Sequence, residues 1–161
     1  MNLAEYRLAK VQVLNGEVED GCRRVAAVLR RGGPPNLDGA ILLLLDRGKT
    51  DLLAELVSGE DVPGFVRLRI AQYLSRTEHG KMAILAMIPL TGNSSEDPEM
   101  RYFAAVWLAE QGCLDGLRSV VDDLTVPSRL WITARRELER FTDVSELSPS
   151  TFQACDHSDG R

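Results

Sequence analysis

A chain of 161 residues has the length of one domain, and its 44% apolar content is enough for a continuous core. The formal net charge is −5, the wrong sign for a protein that tracks phosphates, so nucleic acid is disfavoured as a partner. Cys22, Cys113 and Cys155 are odd in number, far apart and free of any CxxC or Cys/His cluster, which argues against a disulfide framework and against a zinc site. Glu5, Arg7 and Lys10 interrupt the N-terminal apolar residues, unlike a secretory signal. The longest apolar runs, 40–45 and 82–90, are too short to span a membrane. The expected setting is therefore cytoplasmic, with reduced thiols.

In chain order, apolar residues at helical spacing predict four helix pairs and a final single helix. The first pair covers about 3–14 and 17–31. Its second helix turns Val18, Cys22, Val25, Ala26, Val28 and Leu29 inward and shows Glu17, Glu19, Asp20, Arg23, Arg24, Arg30 and Arg31 outward. Acids lead and arginines trail, which the helix dipole accounts for. Gly32-Gly33-Pro34-Pro35 then breaks the chain. The second pair covers 35–46 and 49–58; Ile41 to Leu45 is apolar all round, which predicts burial on several sides.

The third pair covers 62–76 and 79–90, with Pro89 expected to kink or end its second helix. The fourth covers 98–111 and 113–124. Here Asp97 is a suitable N-cap, Pro98 suits the first helical position, and Gly112 suits the residue just past the end. A last helix is predicted over 127–141. Residues 142–161 carry Asp143, Glu146, Asp156 and Asp159 against Arg161 and are expected to form a disordered acidic tail.

The pairs repeat. Anchors at Arg7, Leu37, Arg67, Arg101 and Trp131 are separated by 30, 30, 34 and 30 residues. Seven residues after each anchor stands a leucine: Leu14, Leu44, Leu74, Leu108 and Leu138. Pro35, Pro63, Pro98 and Pro127 precede the last four anchors, and Gly16, Gly48, Gly80 and Gly112 follow the first helix of each pair. Arg135 occupies the column held elsewhere by Val11, Ile41, Ala71 and Ala105, so the last helix reads as a cap with a polar outer face.

The stretch Asp97-Pro98-x-x-Arg101-x-x-Ala104-Ala105-x-x-Leu108-x-x-x-Gly112 resembles the short, phycobiliprotein-lyase type of HEAT repeat. Asp61, Pro63, Arg67, Ala71, Leu74 and Gly80 match the same pattern with small shifts; the second pair has Leu37 in place of the arginine. The resemblance covers about residues 2–141. It implies an all-α, right-handed superhelix, a HEAT-like solenoid of four helix pairs plus a C-terminal capping helix, with first helices convex and second helices concave. On function it is nearly silent, since such repeats occur in scaffolds, bilin lyases, hydroxylases and DNA-repair enzymes.

The chemistry of the side chains narrows this. HEAT-like hydroxylases hold iron with repeated His-Glu pairs, but this chain has only His79, in the reverse order Glu78-His79, and His157 in the tail. No short motif marks a tetrapyrrole site. Tyr102, Trp107 and Trp131 fall on first-helix faces and read as core rather than as base-stacking residues. Gly48-Lys49-Thr50 lacks the glycine spacing of a phosphate loop. The acids and arginines of Asp97/Arg101 and Asp61/Arg67 read as cross-links between neighbouring helices. No cofactor is expected. The concave face would present Arg23, Arg24, Lys49, Glu55, Lys81, Arg118 and Asp122, whose mixed signs suit a protein or peptide better than a polyanion. The expected function is a non-catalytic interaction module, such as an adaptor, assembly factor or inhibitor. The alternative is a HEAT-like enzyme, bilin-lyase-like or DNA-glycosylase-like, or a nucleic-acid-binding protein.

Overall fold

The computed structural model describes residues 2–147, with side chains described over 3–143. Among them are nine helices: α1 (Asn2–Leu14), α2 (Val18–Arg30), α3 (Leu37–Asp46), α4 (Thr50–Ser58), α5 (Gly64–Leu74), α6 (Gly80–Gly92), α7 (Pro98–Glu110), α8 (Asp115–Asp122) and α9 (Ser128–Leu147). Neighbouring helices pack together: α1 on α2, α3 on α4, α4 on α5, α7 on α8, and α9 on both α7 and α8.

The described residues fall into two compact units that divide at Met87/Ile88, within α6. The first has a core of Cys22, Val25, Leu29, Ile41, Leu44, Leu53, Leu56, Ile70, Leu74 and Met87. The second is built on Ala105, Ala109, Leu117, Val120, Val126, Leu130 and Ala134, with Trp131, Leu138 and Phe141 packed against them.

Two helices run further than expected. α6 passes through Pro89 and ends at Gly92. Pro89 and Leu85 share the exposed side of the helix, where water can take the Leu85 carbonyl that a proline cannot satisfy. α9 continues past 141 to Leu147, six residues into the expected tail. Phe141 still packs on the core, and the Thr142 hydroxyl donates to the Leu138 carbonyl at 2.7 Å. The rest of that tail, 148–161, lies outside the described residues.

Burial shifts the first anchor by one residue. Leu14 is 62% exposed while Val13 is 1% exposed, and Arg7 is exposed while Tyr6 is buried. The buried set Tyr6, Ala9 and Val13 has the spacing of Leu37, Ala40 and Leu44, so Tyr6 takes the anchor position. A counted leucine column carries no information on which of two adjacent apolar residues faces inward; here it is Val13. The apolar run of α3 also differs from expectation. Ala40, Ile41 and Leu44 are buried, but Leu42 is exposed, so α3 buries one face.

The glycines divide by role. Gly16, Gly48 and Gly112 have positive φ (95°, 67° and 87°) and close Schellman turns. At the last of them the Gly112 and Cys113 N–H groups donate to the Ala109 and Leu108 carbonyls at 2.9 and 2.8 Å. Gly80 does not belong to this set. It opens α6, where a Cβ would meet the Ser75 carbonyl oxygen at 2.8 Å.

The anchor side chains have a common task. Arg67 Nε donates to the Val57 carbonyl at 2.8 Å, Arg101 Nε to the Thr91 carbonyl at 2.9 Å, and Trp131 Nε1 to the Val121 carbonyl at 2.7 Å. Each acceptor stands ten residues before its donor and is the penultimate residue of α4, α6 or α8. These are carbonyls that a helix end leaves without an intrahelical partner. Leu37 cannot donate, and the helix before it ends differently. Gly32 and Gly33, at φ 104° and 73°, donate to the Leu29 and Val28 carbonyls at 3.0 and 2.9 Å. The second anchor can therefore be a leucine because α2 closes on its own glycines.

Arg67 also reaches the Ala86 carbonyl of α6 at 3.1 Å, and Arg101 binds Asp123 at 2.8 Å. The acids paired with them in the sequence motif have other work. Asp97 caps its own helix by accepting from Glu99 N–H at 2.8 Å, and Asp61 binds Arg30 at 3.3 Å.

Candidate binding surface

Within the first unit, α2 and α4 lie side by side and leave a depression of about 600 Å³ between them. Its floor is Ala26, Ala27, Leu52 and Leu56; its rim is Arg23, Arg30, Arg31 and Glu55. The sequence builds it directly. α2 buries Cys22, Val25 and Leu29, which turns Arg23, Ala27 and Arg30, at i, i+4 and i+7, to the opposite side. The small side chain of Ala27 lets the floor open between the two arginines. A second depression of about 230 Å³, lined by Glu5, Leu8, Arg24, Ala27, Val28 and Arg31, shares Ala27 and Arg31 with the first. The two form one patch across α2.

Ion pairs hold part of the rim. Arg30 bridges Glu55 at 2.9 Å and Asp61 at 3.3 Å, and Arg31 binds Glu5. Arg23 is 4.0 Å from Asp20, at the limit of an ion pair. Beside the patch, Lys49 of the α3–α4 turn binds Glu19 and holds its carboxyl below the usual range. Burial, the largest influence on it, pushes the Cys22 thiol up, so this cysteine stays protonated and is a poor nucleophile.

Of the residues expected on a shared face, the structure brings Arg23 and Glu55 into one depression and Arg24 into its neighbour. Lys49 is engaged by Glu19, and Lys81 is exposed in the first turn of α6. Arg118 and Asp122 lie on α8 in the second unit, where Arg118 pairs with Asp115 at 3.0 Å. Arg30, Arg31, Ala27 and Leu52 were not singled out as binding residues by sequence reasoning. Arg30 and Arg31 lie on the charged outward face that the sequence predicts for α2, whereas only the packing of α4 beside α2 brings Leu52 to them.

His79 builds no site with its neighbours. His79 Nε2 is 3.9 Å from Asp51 and 3.7 Å from Glu78, beyond hydrogen-bond reach. Among the described residues no cluster of three or more His, Cys, Asp or Glu side chains is placed to hold a metal ion. No described helix is long and apolar enough to cross a membrane. Trp107 is buried, and the Trp131 indole is committed to the Val121 carbonyl. No protein-family model matches the chain, and no curated protein or solved structure matches it.

Proposed function

We propose that the chain is a HEAT-like right-handed solenoid that acts as a non-catalytic protein-binding module, engaging its partner through the α2/α4 face. The observation that carries this reading is the open depression with an apolar floor and a guanidinium rim. Apolar area supplies affinity and the surrounding charges supply orientation, the combination found at protein interfaces. Support for the repeat comes from equivalent positions doing equivalent work. Arg67, Arg101 and Trp131 close the preceding helix in the same way. Gly21 and Gly116, each fifteen residues after its anchor (21 − 6 and 116 − 101), allow the second helix of a pair to approach the first.

The test is affinity capture from a lysate of the source organism with the purified chain and with an Arg23→Glu/Arg30→Glu variant, both read by mass spectrometry. A stoichiometric protein captured by the first and lost from the second is the expected result. Nucleic acid recovered in its place, with retention that collapses as salt rises, would reject the reading in favour of a polyanion-binding protein.

A further inference from the structure

We infer that the outer face of α1 is a docking surface independent of the α2/α4 face, and that it takes an amphipathic helix of a partner protein with a carboxylate set among its apolar residues, opposite Arg7. Leu3, Arg7, Val11 and Leu14 fall in one row along α1, with Leu8 beside it and Lys10 at its edge. The four apolar side chains are between 40% and 62% exposed. The buried Tyr6, Ala9 and Val13 lie on the other side of α1, which packs on α2. The same register in α7 is covered. Arg7, Lys10, Val11 and Leu14 stand after Tyr6 as Tyr102, Ala105, Val106 and Ala109 stand after Arg101. Those four residues of α7 belong to the core of the second unit, where α9 packs on α7. In the first unit α3 packs on α2, α4 and α5 instead, and the row on α1 stays open. A helix lying along α1 as α9 lies along α7 would close it.

Charge decides the kind of helix. Arg7 stands within the apolar row, so whatever covers the leucines also takes its guanidinium out of water, and a buried charge needs an opposite one. Glu5, the one acid of α1, binds Arg31, and no described carboxylate lies within ion-pair distance of Arg7 or Lys10. Neither cation has an acid three or four residues away on α1, and the two stand at i and i+3, where like charges repel. Neither is in the last turn, where the helix dipole would favour it. A second copy docking α1 on α1 would set these cations against each other. A bilayer would receive the leucines only with Arg7 among them, and the net charge of −5 opposes approach to anionic lipid. A partner helix with Asp or Glu inside its apolar stripe satisfies both the leucines and Arg7.

The experiment is a selection from a displayed library of helical peptides on the intact purified chain, with affinities of the selected peptides measured by fluorescence anisotropy. Enriched helices are expected to carry Asp or Glu between Leu, Ile or Phe and to bind Arg7→Glu about tenfold more weakly or worse. Changing their own acid to Lys should restore binding to Arg7→Glu. Val11→Gln/Leu14→Gln should weaken them as well, Arg7→Gln should fall between wild type and Arg7→Glu, and Arg23→Glu should leave them unchanged. All three α1 positions are exposed, and thermal melts confirm that the variants are folded. Helices that lack an acid in the apolar stripe, or that bind Arg7→Glu as well as wild type, overturn the proposal. Peptides weakened by Arg23→Glu and not by Arg7→Glu occupy the α2/α4 face and overturn it while keeping the protein-binding reading. A selection without enrichment overturns it, as does a dimer in sedimentation, or binding to phosphatidylserine vesicles, that Val11→Gln/Leu14→Gln abolishes.

Discussion

Replacing Arg101 with alanine should destabilise the protein without altering any binding at the α2 patch. Arg101 is 2% exposed, and its guanidinium joins the end of α6 to the segment after α8. Truncation removes the donor from the Thr91 carbonyl, and a buried acceptor left unsatisfied costs about 1–3 kcal/mol. It also removes the Cγ and Cδ methylenes from a packed environment, at about 0.8 kcal/mol each. Asp123 is left out of this sum, because its partly exposed carboxylate keeps Thr125 and solvent as partners.

The expected loss is then about 3–5 kcal/mol, a fall in melting temperature of about 10 °C for a chain of this size unfolding in one transition. Arg101→Met separates the two parts. It keeps the packed stem and loses the donor, so it should fall between wild type and Arg101→Ala in thermal melts followed by circular dichroism. A melting temperature within about a degree of wild type for Arg101→Ala, or a loss of partner binding at unchanged stability, would refute the structural role assigned to this arginine.

Trp131→Phe loses the pyrrole half of the indole together with its N–H and should cost about 1–3 kcal/mol in urea unfolding, chiefly by orphaning the Val121 carbonyl; an unchanged midpoint would refute the role given to this bond. Gly21→Ala should destabilise by about 1–3 kcal/mol despite alanine's better helix propensity. The new Cβ would stand 2.9 Å from the Ala9 carbonyl oxygen and 2.6 Å from Val13 Cγ2, and a gain in denaturant midpoint would overturn that close approach. The carboxyl of Asp123 is lowered from an ordinary 3.8 to about 2, first by the Thr125 hydroxyl and then by the Thr125 N–H and Arg101. A folded-state value below the unfolded one contributes stability that is complete above the unfolded value and is lost as pH falls through the folded value. Acid titration of wild type should thus show a steeper decline in stability between about pH 4 and pH 2 than that of Asp123→Asn, which keeps the lowered carboxyls of Glu19 and Asp38. Parallel curves for the two proteins would refute the assignment.

The helices were legible because punctuation and period agree in this chain. Asp97, Pro98 and Gly112 mark the ends of α7, and the structure starts α7 at Pro98 and ends it at Glu110, with Gln111 as its C-cap and Gly112 next. Three features were hidden, each for a physical reason. The one-residue shift in α1 follows from side-chain direction, because Val13 and Leu14 are equally apolar and only packing against Gly21 of α2 decides between them. The Pro89 helix continues because its lost hydrogen bond falls on the exposed side, which a list of breakers does not encode. The arginine column was visible, but its task was not. Arg67 and Arg101 act on carbonyls ten residues upstream, in a helix that sequence periodicity treats as a separate object. Of the site, the spacing of Arg23, Ala27 and Arg30 was readable on α2, whereas its juxtaposition with Leu52 and Glu55 required the packing of α2 on α4.

Two groups of arginines in this chain therefore have different physical causes. Arg67 and Arg101 are buried, bonded to backbone at helix ends, and sit where the fold would otherwise leave a carbonyl unpaired. Those of α2 stand on its outer side, on a helix whose end is already closed by glycine. The dipole of α2 favours Arg30 in its last turn, and Arg23 and Arg24 stand four residues after Glu19 and Asp20, the spacing at which an acid and a base on one helix attract each other. Exposed cations around an apolar floor add little to folding, since surface ion pairs contribute at most about 1 kcal/mol. Their effect is greatest when a partner excludes water from the patch. Substitutions in the two populations should accordingly separate: Arg67 and Arg101 variants move the melting temperature, and Arg23 variants move affinity.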